Sequence, residues 1–100
     1  MSESEIEAKI VAAGKTGPRL TPDDIDRAIV GEYFHVIPDT TVTVCALYLR
    51  NGFVVIGESA AASANNFDEE IGRSIARQHA REKIWVLEGY LLRQKLREAE

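Results

Sequence analysis

From Phe67 to Arg97 the chain runs for 31 residues without a proline, and this stretch most constrains the fold. Ile71, Ile75, His79, Ile84, Leu87, Leu91 and Leu96 recur along it at three- to five-residue spacing, the period of one face of a helix. Asn66 is a good N-cap, and Glu69 three residues on would close a capping box. At about 1.5 Å per residue such a helix spans roughly 45 Å. The strands expected upstream cover only about 25–30 Å. The helix therefore overhangs its own sheet. Either it breaks near Gly89, or its apolar end (Trp85, Leu87, Tyr90, Leu91, Leu92) buries against another subunit. Both readings predict a homo-oligomer, because one sheet cannot cover that stripe.

The strands are announced by a change of period. Tyr33 to Ile37, Val42 to Arg50 and Phe53 to Ser59 read as three strands separated by Pro38-Asp-Thr-Thr and by Asn51-Gly52. Asn-Gly between β-rich runs predicts a two-residue hairpin turn with two positive φ angles. That turn sets Arg50 opposite Phe53, Tyr48 opposite Val55 and Leu47 opposite Ile56. One sheet face then carries Phe34, Val36, Thr43, Cys45, Leu47, Leu49, Val54, Ile56 and Glu58, and is the expected core face. The other carries Tyr33, His35, Ile37, Val42, Val44, Ala46, Tyr48, Arg50, Phe53 and Val55. It is too apolar for water alone, so N-terminal helices, a second subunit or a ligand must cover it.

Upstream, residues 3–13 predict a short helix, and Gly14-Lys-Thr-Gly-Pro-Arg-Leu a loop. Thr21-Pro22-Asp23-Asp24 is a strong helix start: a threonine cap, proline at the first position, and acids at the positive helix end. That helix should carry Ile25, Ala28, Ile29 and Val30 and stop near Gly31. The fold class expected is α+β in one domain, residues 1–100. A helical segment (1–32) precedes an antiparallel sheet of about three strands (33–60) and one long, kinked or continuous helix (66–97).

Composition removes several functions. The only cysteine, Cys45, excludes an internal disulfide and a cysteine-based zinc cage. With two histidines, no clustered ligand spacing, and nothing resembling a metal motif, no metal and no cofactor is expected. The net charge is −4, and its acid excess lies in residues 1–40, with eight acids against four bases; residues 41–100 balance at eight each. No generic nucleic-acid partner follows from such a distribution. The acidic N-terminus lacks the apolar core of a signal peptide, and no apolar run approaches a membrane span, so a cytoplasmic protein without a membrane partner is expected.

Candidate sites are few. No Ser/His/Asp or Cys/His arrangement stands out, which points away from an enzyme. Gly14-Lys-Thr-Gly lacks the first glycine of a phosphate loop and follows no strand. Asn65, Asn66, Phe67 and Asp68 open the last helix, where free N–H groups and the helix dipole can cradle an anion; Asp68 and Glu69 offset that charge, and plain capping explains the same residues. Arg73, Arg77 and Arg81 lie four apart on one stripe. They form either a salt-bridged face or a basic wall beside a nucleotide, with Phe53, Tyr48 or Phe67 stacking on a base.

Six segments in order carry a resemblance: Pro18-Arg-Leu-Thr-Pro-Asp-Asp-Ile, Thr43-Val-Cys, Asn51-Gly-Phe, Gly57-Glu-Ser-Ala, Asn66-Phe-Asp-Glu-Glu-Ile-Gly-Arg and Lys83-Ile-Trp-Val-Leu-Glu-Gly-Tyr-Leu-Leu. Together they resemble a family of small tailed-phage and prophage proteins named after a phage N4 gene product and a phage Sf6 gene. More distantly, the layout is similar to the phage anti-Thoeris sponges, which sequester cyclic ADP-ribose signals without cleaving them. That likeness implies a non-enzymatic counter-defence protein in the host cytoplasm, oligomeric, with a small cyclic nucleotide as ligand. It places the ligand at Phe53, Asn66, Phe67 and Asp68, with Arg73 or Arg77 on the phosphates. The alternative is an interaction module that binds a host or phage protein through the aromatic sheet face.

Overall fold

A computed structural model describes the whole chain, Met1 to Glu100. Its elements are α1 (Glu3–Ala12), α2 (Pro22–Ala28), β1 (Ile29–Val36), β2 (Val42–Leu49), β3 (Val54–Ala60), a 3-10 turn (Ala64–Asn66) and α3 (Glu69–Glu98). The strands form one antiparallel sheet in the order β1-β2-β3. The fold is α+β, as the sequence predicts. No helix is long and apolar enough to cross a membrane.

The helix starts follow their local chemistry. Thr21 Oγ1 accepts the Asp24 N–H, and the Asp24 carboxylate accepts the Thr21 N–H, a complete capping box. These bonds to the ionised form, the Thr21 N–H first, hold the Asp24 carboxyl below its usual range. α2 ends three residues sooner than expected, because Ile29 turns extended and starts β1. The Arg50 N–H donates to the Ala28 carbonyl at 3.0 Å and so carries the sheet ladder to the end of α2. A bulge between Ile29 and Gly31 leaves Val30 exposed. The cap of α3 is Asp68, whose Oδ1 accepts the Ile71 N–H, and not Asn66, which is drawn into the 3-10 turn. No capping box with Glu69 forms. α3 runs unbroken through Gly89, which faces the Leu20 side chain.

The hairpin corrects the expected register. The Gly52 N–H donates to the Leu49 carbonyl and the Leu49 N–H to the Phe53 carbonyl, closing a three-residue loop, Arg50-Asn51-Gly52, with Gly52 at φ +90°. Asn51 Oδ1 accepts the Phe53 N–H across the loop. Such a loop carries one residue more than the expected turn. Tyr48 therefore lies opposite Val54, Leu47 opposite Val55 and Ala46 opposite Ile56. A slip of one residue turns every β3 side chain over. Val55 and Gly57 face the core, while Val54, Ile56 and Glu58 join the outer face, the reverse of the expectation. Phe53 likewise leaves the outer face and sits in the row of Leu49. The β1 and β2 assignments stand.

Apart from Ala46 on the outer face, the buried apolar side chains lie between the inner sheet face and two helices: Ile25 and Ala28 of α2, Cys45, Leu47, Leu49 and Val55 of the sheet, and Ala76, Ala80 and Ile84 of α3. The close approach occurs at Gly57. A Cβ there would lie 2.2 Å from the Ala76 carbonyl oxygen and 2.3 Å from the Ala80 nitrogen, both backbone atoms. Two alanines and a glycine thus let α3 lie flush on β3. One turn earlier Gly72 covers Thr43, a fully buried residue whose Oγ1 has no hydrogen-bond partner. α1 sits on the far side of α3, where Arg81 and Trp85 hold Glu3. No helix covers the outer sheet face; α3 only borders its β3 edge, where Lys83, Val86 and Leu87 share a cleft with Val54 and Ile56.

Gly57→Ala is expected to cost about 3 kcal/mol, because backbone on both sides cannot yield, and to lower Tm by roughly 15 °C in a thermal melt. Thr43→Val removes an unpaired buried hydroxyl at constant shape and is expected to leave stability equal or raise it by about 1 kcal/mol, read by urea denaturation.

Candidate functional site

A cleft of about 320 Å³ opens where β3 hands over to α3. Ser63 Oγ accepts the Asn65 N–H and caps the 3-10 turn. Phe67 then runs extended, and Asp68 caps α3. This path brings Asn66, Phe67 and Asp68 to one rim of the cleft, across from Thr41 and Ser59, with Ile71, Ile75 and His79 of α3 along its side.

The polar atoms there divide into spent and available. Thr41 Oγ1 donates to the Ala61 carbonyl at 2.5 Å, and Ser59 Oγ to the Gly72 carbonyl at 2.7 Å. His79 Nδ1–H donates to the Glu58 carbonyl at 2.7 Å, which leaves Nε2 as an acceptor in the neutral ring. The Asn66 amide has no side-chain partner, and Asp68 keeps a carboxylate oxygen beyond its cap bond. The cleft therefore offers an aromatic ring, an amide, a carboxylate and an imidazole acceptor on an aliphatic wall. It suits a neutral, hydroxyl-rich or heteroaromatic group. No cation lines it in a single copy.

The other expected site residues lie elsewhere. Asn65 is exposed in the 3-10 turn and does not line the cleft. Phe53 stands at the opposite end of β3, about 20 Å away over seven strand residues. There it flanks a second cleft of about 410 Å³ with Tyr90, above a bidentate pair between Arg50 and Glu88 at 2.6 and 3.0 Å. Tyr90 and the Arg50–Glu88 pair were not marked as a site by spacing, because they are 38 to 40 residues apart in sequence and meet only when α3 lies along the hairpin.

The arginine stripe is a set of ties. Arg73 pairs with Glu69 at 2.6 Å, and both side chains are about half exposed. Arg77 reaches across to Glu32 of β1 at 2.8 Å. Arg81 holds Glu3 of α1, Asp26 of α2 and the Pro22 carbonyl together, and its hydrogen bond to Glu3 raises its pKa further. The salt-bridged reading of the stripe is the one the structure realises, with partners on three other elements. Burial pushes the Cys45 thiol up, and it packs as a core side chain. No group of three or more metal-ligating side chains occurs.

Against known families, the model described as phage protein (N4 Gp49/phage Sf6 gene 66) family matches residues 20–96, from the α2 cap almost to the end of α3. No curated protein and no solved structure matches the chain.

Arg81→Ala is expected to release α1 while the sheet stays intact: hydrogen exchange should accelerate over Glu3–Ala12 and remain slow in β2. Unchanged protection of α1 would show that the guanidinium is dispensable there.

Proposed function

Because the chain belongs to the phage protein family of N4 Gp49 and Sf6 gene 66, we propose that it acts during infection by binding, without catalysis, and sequesters a cyclic nucleotide immune signal of the cyclic ADP-ribose type. The observation that carries this reading is the convergence of Asn66, Phe67 and Asp68 on one cleft at the start of α3. Phe67 supplies a stacking face for a base, Asp68 accepts ribose hydroxyls, and Asn66 and His79 Nε2 address the base edge. A signal held this way is withdrawn from its receptor and stays chemically intact.

The phosphates need a cation. Arg73 lies five residues past Asp68 and outside the cleft lining, and its exposed pair with Glu69 is worth only about 0.5 kcal/mol, so a phosphate that reaches beyond the cleft can take the guanidinium over. Arg77 is the next along the stripe. Phe53 plays no part in this cleft; its own cleft with Tyr90 is a separate surface. The reading also includes self-association in the host cytoplasm. Two apolar surfaces are left open in one copy, the tail of α3 (Val86 73% and Tyr90 72% exposed) and the outer sheet face. That outer face favours a second reading, a module that binds a host or phage protein.

Calorimetry with cyclic ADP-ribose isomers and cyclic di- and trinucleotides decides between them. At least one of these is expected to bind at micromolar affinity or better, about 8 kcal/mol, and to be recovered unchanged. Phe67→Ala should weaken it roughly 10- to 100-fold, the cost of one stacked base, with the fold unaltered. No heat with any of them, or Phe67→Ala and Asn66→Ala proteins that bind as tightly as the parent, would remove this function; turnover of the ligand would make the protein an enzyme.

A further inference from the structure

We propose that two copies of this chain pack through the outer faces of their sheets, about a two-fold axis along β2, with each copy's His35 set against the partner's Glu58. The inference rests on the sheet and not on the ligand reading. α2 and α3 cover only the inner face, and α1 lies beyond α3, so the outer face is bare within one copy. Tyr33, Tyr48, Ile56, Ile37 and Val54 remain 55, 43, 44, 39 and 38% exposed there. With His35, Glu58 and the β2 valines they form one continuous patch across all three strands, the kind of face that a stable interface of roughly 800 Å² per partner buries. A monomer seldom shows water a single apolar patch larger than a few hundred Å².

The pattern on that face is self-complementary. Along each row of the sheet, one residue comes from each strand: Tyr33, Ala46, Ile56, then His35, Val44, Glu58. Glu58 is the only formal charge in these rows, and His35, stacked on Tyr33 at 6.5 Å, is the only basic group. They occupy one row on opposite edge strands, flanking Val44. A two-fold along β2 lays β1 of one copy over β3 of the other. His35 then meets the partner's Glu58 twice, Tyr33 meets the partner's Ile56, and Ala46 and Val44 meet their own counterparts. Small residues down the middle allow the usual sheet spacing of about 10 Å, and bulky ones interlock at the sides. An axis across the strands would instead set each Glu58 among apolar side chains or near the partner's Glu58, leaving a carboxylate dry and unpaired. The neutral imidazole can donate one N–H to the carboxylate, and the charged ring forms an ion pair, so the contact holds in either state.

The experiment is sedimentation velocity on the full chain, without ligand, over a concentration series. Glu58→Arg and His35→Asp, both at exposed positions, are each expected to raise the dissociation constant at least tenfold and halve the mass of the assembly. The combined variant should restore it, with circular dichroism constant throughout. Tyr90→Glu, in the α3 tail, is expected to leave this pairing in place. A parent protein that stays monomeric at high micromolar concentration overturns the proposal, and self-association with it. Single variants that keep the parent mass, or a mass that responds only to Tyr90→Glu, overturn the sheet pairing while self-association stands.

Discussion

The contact between Gly57 and the Ala76–Ala80 turn of α3 sets the position of everything else. With no side chain on β3 at that point, the helix backbone rests on the strand itself. Ile84 and Ala80 then reach Leu47 and Val55 in one core cluster. The same seat fixes where α3 starts relative to the end of β3, and so shapes the cleft around Asn66, Phe67 and Asp68. A larger residue at 57 would lift the helix and open both core and cleft together.

Polar ties then lock the orientation that the small residues permit. Lys83 and His79 donate to the Ile56 and Glu58 carbonyls of β3, the edge strand. An exposed strand edge invites pairing with a stray strand, and covering its carbonyls from α3 removes that opportunity. On the other side Arg77 and Arg81 bind β1, α2 and α1 to the same helix. Edge association is thereby discouraged on β3, while the broad outer face remains open for a more specific contact. The histidines accordingly differ in role: His79 guards an edge and borders the cleft, and His35 stands on the open face.

Much of the site and fold was legible from local chemistry. The Thr21 capping box, the long proline-free helix and the three antiparallel strands each express a signal carried within a few consecutive residues. The errors came where two local solutions differ by one or two residues. Asn51-Gly52 supports a two-residue turn or the last two positions of a three-residue loop, and both place Gly52 at positive φ. The inward burial of Gly57, needed for helix contact, is satisfied only by the second. Asn66 and Asp68 are comparable caps, and the 3-10 turn nucleated by Ser63 consumed the first. The arginine stripe was visible, but its partners Glu3, Asp26 and Glu32 lie 45 to 78 residues distant and carry no spacing signal.

By itself, the sequence determined the α+β class, the order of elements, the inner face of β1 and β2 and the presence of Asn66, Phe67 and Asp68 at a helix start, because short-range propensities and capping encode these; the phage-protein family was legible in the order of whole segments along residues 20–96. Only the tertiary structure decided which β3 residues face inward, that Phe53 stands apart from the Asn66–Asp68 cleft, and that His35 and Glu58 share one row of an uncovered face. Those depend on how a helix and a sheet meet. A strand's two faces are equivalent to its own backbone until another element packs against one of them.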